Sequence, residues 1–381
     1  MTGVAGVRFA AVTNPGGRRS RLFADAVRAA GLPPVVEIPW RALAGGDVPV
    51  VAAGALVRID SPDGDPEVDR LLRGDVEPVA HGEIRPGAAW YAGFTGALNR
   101  LGGRLGGRLG GSGVPLSDPD AVAVMFDKRR CHAVLEAAGV PVPAALPPVT
   151  GYVDLRERMR AAGFGRVFVK PPHGSSASGV IALETAGARL VATTSVEVAD
   201  GRLYNSLTVR RYTDEATVAF VVDRLGPLHV ERWFPKAGHG GRTVDLRVVV
   251  VAGRPTHVVV RASRHPMTNL HLGARRGDPA AVRAAAGEEN WRAAMETCAR
   301  AAALFPGCLM VGVDLMFAPG WRRHAVAEVN AFGDLLPGLV NEHGRDTYAE
   351  QVHAALAGWG RGTAVGSEGR AGADRVVPCS T

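Results

Sequence analysis

A lysine closes an apolar strand, Val167-Phe168-Val169-Lys170, and runs straight into PPHGSSASGV. An ammonium beside a loop of small residues suits phosphate, because backbone N–H groups approach closely where no side chain intervenes. An ordinary hairpin has the same ingredients. Asp314 sits inside VGVDLMF, a strand otherwise apolar, and Glu328 and Asn330 stand two apart in VAEVNAF. On a strand, residues two apart share a face. Two carboxylates and an amide oxygen form a hard-oxygen set that suits Mg2+ and the phosphates it carries. Without a cation, two such buried acids would be costly. Asp245 and Arg247 also share a strand face, and Arg247 offers a fork for a carboxylate or phosphoryl group. Asn269 and His271 lie in the loop TNLHLG that follows, where a surface ion pair and turn would explain them equally well.

These residues need elements to hold them. The first third reads as strand, turn and helix repeated: strands over 7–13, 33–40 and 49–60, helices over 21–32 and 66–72. That alternation predicts a parallel α/β sheet. Residues 99–113 repeat the unit RLGG and read as a flexible linker. No GK[ST] ending makes it a phosphate loop. One capped helix is expected over 117–140, ending at Gly139, then a proline-rich connector and a helix over 151–164. A hairpin around Lys170 and a strand-rich stretch over 217–235 follow. A hairpin over 245–263, one long helix over 278–305, a strand pair over 310–332 and a closing helix over 344–359 complete the chain. From about Gly362 the sequence is small and polar and reads as a disordered tail.

Composition narrows the function. Of 44 Lys+Arg in 381 residues, the lysines are only Lys128, Lys170 and Lys236. A chain so depleted in lysine keeps it where arginine's planar fork will not serve. The charge of +7 invites a nucleic-acid partner, but the arginines are dispersed without a recognisable motif, so none is expected. No apolar run is long enough for a membrane span and the start lacks a signal-peptide pattern. Four cysteines without metal or disulfide spacing fit a cytoplasmic chain, with Cys131 a core residue.

From about Phe126 to Gly338 the segments FDKRRCHAVLEAAGVPVP, VFVKPPHGSSASGV, HVERWFP, DLRVVVV, TNLHLG, GVDLMF and AEVN follow one another in an order that resembles the ATP-grasp superfamily. Within it, the chain is similar to the peptide and amino-acid ligase branch of glutathione synthetase and the ribosomal-protein glutamate ligases. The runs ALVRIDSPDGDPEVDRLL and AEVNAFGDLLPGL are similar to a further bacterial group of ATP-grasp proteins. The resemblance implies an α/β (α+β) architecture. An N-terminal pre-ATP-grasp domain spans 1–120, a lid subdomain 121–234 and a C-terminal subdomain with the metal site 235–361. It implies ATP and Mg2+. Lys128, Lys170, Ser175, Ser176, Ser178 and Gly179 would hold phosphates. Glu231, Arg232, Trp233 and Phe234 would form the hinge whose backbone reads adenine. Asp314, Glu328 and Asn330 would bind metal. Arg247, Asn269 and His271 would act at the transferred phosphoryl group, with Arg264 or His265 as further anion contacts. The implied activity is an ATP-dependent carboxylate–amine ligase on small molecules or a peptide, and relatives of this kind often form homodimers. A kinase on the same fold and a non-catalytic nucleotide-binding protein are the alternatives. Pro266-Met267 before TNLHLG, Ala274 in place of a glycine, and Ala331-Phe332-Gly333-Asp334 in place of a Pro-Gly turn depart from the pattern near the acceptor pocket, so they bear on substrate choice. Lys236, just after the hinge segment, has no role in the pattern; it is expected at the surface, with a contact to the ATP edge as the alternative.

Overall fold

The computed structural model describes residues 6–47, 49–103, 113–175, 177–187, 189–333 and 336–359. Ser176, most of the RLGG repeat and the expected tail lie outside them.

The N-terminal portion contains β1 (Phe9–Thr13), α1 (Arg18–Ala29), β2 (Val36–Pro39), α2 (Trp40–Ala44), β3 (Leu56–Ile59), α3 (Pro66–Arg73), α4 (Ala88–Gly102) and β4 (Val114–Pro115). Its strands pair in parallel in the order β2-β1-β3-β4. Every residue of β1 and β3 is buried, as a parallel sheet covered on both faces requires. Helix α4 takes in Asn99–Gly102, the start of the stretch expected as linker. It crosses α3 closely: a Cβ on Gly93 would lie 2.0 Å from the Leu72 carbonyl oxygen.

The helix expected over 117–140 is two helices, α5 (Pro119–Phe126) and α6 (Lys128–Ala137). Asp127 breaks them with extended backbone, and its carboxylate accepts from the Arg129 and Arg130 amides at 3.0 and 3.3 Å. An aspartate that caps the second helix interrupts the first. Lys128 therefore opens α6 instead of sitting mid-helix.

Next come α7 (Tyr152–Ala161), β5 (Arg166–Lys170), β6 (Ile181–Ala186), β7 (Arg189–Ala199), β8 (Arg202–Tyr212), α8 (Glu215–Arg224) and β9 (His229–Arg232). The sheet is antiparallel in the order β8-β7-β6-β5-β9. Part of the stretch read as strand-rich over 217–235 is helix α8, started by Asp214, whose carboxylate caps the Thr217 amide at 2.8 Å. Its buried Val218, Val221 and Val222 follow helical spacing, and this overrides their β preference.

The last portion holds β10 (Gly238–His239), β11 (Arg242–Val251), β12 (Arg254–Ser263), β13 (Arg275–Gly277), α9 (Pro279–Ala286), α10 (Glu288–Ala303), β14 (Met310–Phe317), β15 (His324–Asn330) and α11 (Thr347–Leu356). The antiparallel order is β13-β12-β11-β14-β15, with β10 on β11. The long helix expected over 278–305 breaks at Gly287, whose φ of 78° no helix interior adopts.

Two apolar cores matter for the site. One fills the second sheet and runs from Leu146 to Val230. Another joins α4, α5 and α6 to β11, β14 and β15, so it is shared between the N- and C-terminal portions. The helix carrying Lys128 thus rests on the base, and the strand carrying Lys170 belongs to the opposing sheet.

Candidate active site

The register of β14 against β15 sets Asp314 directly opposite Glu328 and Gly312 opposite Asn330. A bulge follows Asp314: Leu315 pairs with Val326, and Ala327 is left over. Bulges re-aim a strand beside functional sites. Here the Ala327 carbonyl accepts from Lys170 Nζ at 3.5 Å. The Lys170 ammonium also donates to Glu231 Oε2 at 2.6 Å. Glu231 in turn is bonded to His229 Nε2 at 2.7 Å. Burial pushes the Glu231 carboxyl up, but the neighbouring ammonium and imidazole outweigh this and hold it down at about 2. Glu231 is thus a side-chain partner of Lys170, beyond the backbone role expected of it. His132, His229 and Glu231 bring ligand atoms within 4.8 Å of one another, but hydrogen bonds already engage the trio, His132 Nε2 with the Pro143 carbonyl at 2.8 Å.

Lys128 meets the same place from the base. Its ammonium lies 3.0 Å from Glu328 Oε1 and donates to the Gly174 carbonyl at 2.7 Å. Its amide donates to the Pro172 carbonyl, also in the loop after Lys170. His173 of that loop bonds Asp127 at 3.1 Å and stacks on Tyr91. The loop after β5 is therefore fastened at the break between α5 and α6.

Between the sheets lies a cavity of about 480 Å3. Lys128, Lys170, Ser175, Ser178, Arg247, Asn269, His271, Asp314, Glu328 and Asn330 line it. Gly179 and Glu231–Phe234 are not among its lining residues. A Cβ on Gly179 would strike Pro171 and Leu225, so this glycine lets the loop pack. Trp233 lies against Phe168 and under the Arg166 guanidinium, while Arg232 covers Phe164. Arg264 and His265 are exposed, and Arg261 lines the wall in their stead. Seven Lys or Arg side chains line the cavity against three carboxylates, a balance that suits a polyanion.

Asp314 is already occupied. Arg247 Nε and Nη2 both bond it, and Arg261 reaches its Oδ2 at 3.2 Å. The two guanidiniums outweigh burial and hold the Asp314 carboxyl well below its usual range. Two glycines make room: a Cβ on Gly333 would lie 2.8 Å from Arg247 Nη1, and one on Gly312 would meet Gly333 Cα at 2.9 Å. The cations beside this buried acid are thus arginines, a possibility the sequence argument for a metal did not weigh. Glu328 keeps the more open carboxylate, and the buried Asn330 Nδ2 has no partner. The Glu328 carboxylate and the Asn330 side-chain oxygen are hard donors that suit a cation such as Mg2+, whereas Asp314 is already neutralised by its two arginines.

Lys236 corrects the sequence reading. Its side chain is only 9% exposed and pairs with Asp245 at 2.8 Å. Arg18, Arg19, Ser61 and Asp63 of the N-terminal portion also line the cavity, and nothing in the sequence pattern singled them out. Cys131 is buried, with its thiol pushed up to about 12 by burial, and behaves as a core residue.

No protein-family model and no curated protein sequence matches the chain. Solved structures do. D-cycloserine synthetase DcsG superposes with a TM-score of 0.54 at 17% identity, over 92% of this chain and 98% of that one. The ATP-grasp ligase PsnB, complexed with a minimal precursor, Mg and ADP, gives 0.52 at 16% identity, over 94% and 99%. The macrocyclase MdnC from Microcystis aeruginosa MRC, bound with its precursor peptide MdnA, gives 0.52 at 12% identity, over 92% and 99%. The architecture is thus one in which a parallel α/β domain precedes two antiparallel sheets that face each other across a cleft. It is the ATP-grasp fold.

Proposed function

We propose that the chain is an ATP-dependent carboxylate–amine ligase that works through an acyl phosphate. One observation carries this reading. Lys128 links the Glu328 carboxylate of the base to the Gly174 carbonyl of the facing loop, with Lys170 converging from the opposite sheet. Two ammonium groups from separate elements, beside hard oxygen donors, suit a triphosphate and its counter-ion.

Lys128 and Lys170 neutralise phosphate oxygens, and the Gly/Ser loop covers them with backbone N–H groups. Glu328 and Asn330 would hold Mg2+, which when bound neutralises the phosphate charge further. The resemblance gives Glu231–Phe234 the adenine edge, but the segment stands outside the cavity lining and the Arg232 and Trp233 amides already donate to the Ala144 and Arg166 carbonyls, so its part in the reaction is through Glu231, which holds Lys170. Arg247 is held on Asp314 within the same cavity, within reach of a carboxylate or phosphoryl oxygen. A carboxylate oxygen forms a bond to the γ-phosphorus as the bond to the ADP oxygen breaks. An amine then attacks the acyl carbon, loses its proton, and phosphate leaves. Asn269 and His271 stand on the wall where that amine would enter. Alignment and charge neutralisation drive both steps, and no covalent side chain is needed. Two of the structural neighbours hold precursors, one of them named as a peptide, which supports including a peptide among the substrates.

The test is to incubate the protein with ATP, Mg2+ and a panel of acids and amines, and to measure nucleotide products. ADP and phosphate are expected. AMP and pyrophosphate would overturn the acyl-phosphate route, and a stable phosphorylated product would reassign the chain as a kinase. Lys170→Ala and Glu328→Ala should each lower turnover by about a hundredfold or more with the fold intact.

A further inference from the structure

Each lysine of this chain ends in the same cleft. Lys128 and Lys170 are the two read as phosphate ligands, and Lys236, which no motif explains, lines the same cavity. Its ammonium makes three contacts: Asp245 Oδ2 at 2.8 Å, Thr268 Oγ1 at 2.8 Å and the Pro266 carbonyl at 3.4 Å. Thr268 also donates to Asp245, and Arg261 Nε donates to the other oxygen of Asp245 at 2.7 Å. Cross-strand register puts Asp245 opposite Arg261 on one side and Arg247 opposite Asp314 on the other. The result is an alternating row of charges, Lys236, Asp245, Arg261, Asp314 and Arg247, buried at its three middle members. One end reaches the Pro266–His271 loop and the other the carboxylate read as a metal ligand.

We infer that Lys236 is a positioning residue: it fastens the Pro266–His271 loop to the base of the cleft, and so sets where Asn269 and His271 present themselves to a substrate. Three donors on one tetrahedral nitrogen match three acceptors that surround it. A planar guanidinium cannot supply that geometry in the same space. This accounts for a lysine at this place in a chain that uses arginine almost everywhere else. The loop has no regular structure of its own beyond the single 3-10 turn Leu270–Leu272, capped by the Asn269 side chain, so beside the buried Met267 and Leu272 its polar hold on the base is through Thr268 and the Pro266 carbonyl. The inference rests on the proposed ligase for its consequence in turnover, but the anchoring itself does not.

Hydrogen exchange on the nucleotide-free full chain tests the anchoring. In Lys236→Met and Lys236→Arg, amides of residues 267–273 should exchange about tenfold faster than in wild type, with those of 128–137 unchanged. Thr268→Ala, which keeps every buried charge, should loosen the same segment and covers the case in which a Lys236 variant fails to fold. Affinity for the Mg2+ complex of a non-hydrolysable ATP analogue should change less than threefold in Thr268→Ala and in Lys236→Arg, which keep the cavity's charge. Unchanged exchange over 267–273 in Thr268→Ala and in a folded Lys236 variant, or wild-type exchange in Lys236→Arg, would overturn the inference. Failure of the wild type to bind the analogue would instead count against the ligase reading and leave the exchange result standing.

Discussion

Glu231 shows how strongly one contact can weigh at this site. Its carboxyl is held at about 2 against an ordinary 4.5, because Lys170 and His229 stabilise the charged form more than burial opposes it. A depressed carboxyl stabilises the fold above its unfolded value and loses that contribution as pH falls towards its folded value. The shift corresponds to about 3 kcal/mol. Glu231→Gln should therefore be about 3 kcal/mol less stable than wild type near pH 7. The gap should shrink as pH drops from about 4.5 towards 3. Denaturant unfolding at several pH values would measure it, and a gap independent of pH would show that the carboxyl is not what matters. His229 moves the other way in charge. Burial is the main cause of its lowered pKa, so the unfolded chain takes up a proton below about 6.5 that the folded chain refuses. His229→Gln should flatten the part of the stability-pH curve just below 6.5, where wild type gains stability as pH rises.

At the scale of elements, the close crossing of α3 and α4 makes a sharp contrast between two glycines of one helix. A methyl at Gly93 would sit 2.0 Å from the Leu72 carbonyl, backbone that cannot swing aside, while at Gly96 the nearest atom is the tip of Arg100 at 3.7 Å. Gly93→Ala should force the helices apart and cost about 1–3 kcal/mol. Gly96→Ala should be neutral or stabilise by up to about 1 kcal/mol, through helix propensity. Thermal unfolding of the two variants checks both. Equal melting temperatures would mean the crossing relaxes freely. The same elements show what a sequence discloses. Strands β11, β12, β14 and β15 were legible because each is a run of apolar β-branched residues bounded by turns. Glu328 and Asn330 could be placed on one face by period alone. The break at Asp127 was not legible, because Asp127 sits in an unbroken helical pattern and its capping role depends on where the backbone has already turned. Helix α8 was misread because its valines suit both periods. The pairing of Arg247 and Arg261 with Asp314 depends on register across three strands, which no single stretch of sequence specifies. Lys236 gave a signal in its rarity, and only the folded geometry gave that signal a place.

For the molecule as a whole, the two cores decide how it should respond to nucleotide. The sheet carrying Lys170 has its own apolar core from Leu146 to Val230, while Lys128 and Glu328 stand on the base, whose core joins N- and C-terminal portions. Polar contacts across the cleft, such as those of Lys128 with Gly174 and of His173 with Asp127, tie the two halves. Such bonds are worth about 1 kcal/mol each, or up to about 3 where a charge takes part. Units with separate cores and modest coupling open separately. Calorimetry without nucleotide should therefore resolve two transitions or one broad one. A bound Mg–nucleotide complex would contact both halves, so its binding energy counts only while they are together. At a hundred times its dissociation constant it should add about 2.7 kcal/mol and merge the transitions into one at higher temperature. In Lys170→Ala the link from the sheet with its own core is missing, so the same analogue at the same multiple of its new dissociation constant should stabilise the base but leave the first transition near its nucleotide-free position. Merging in that variant as complete as in wild type would show that Lys170 does not couple the lid to the nucleotide.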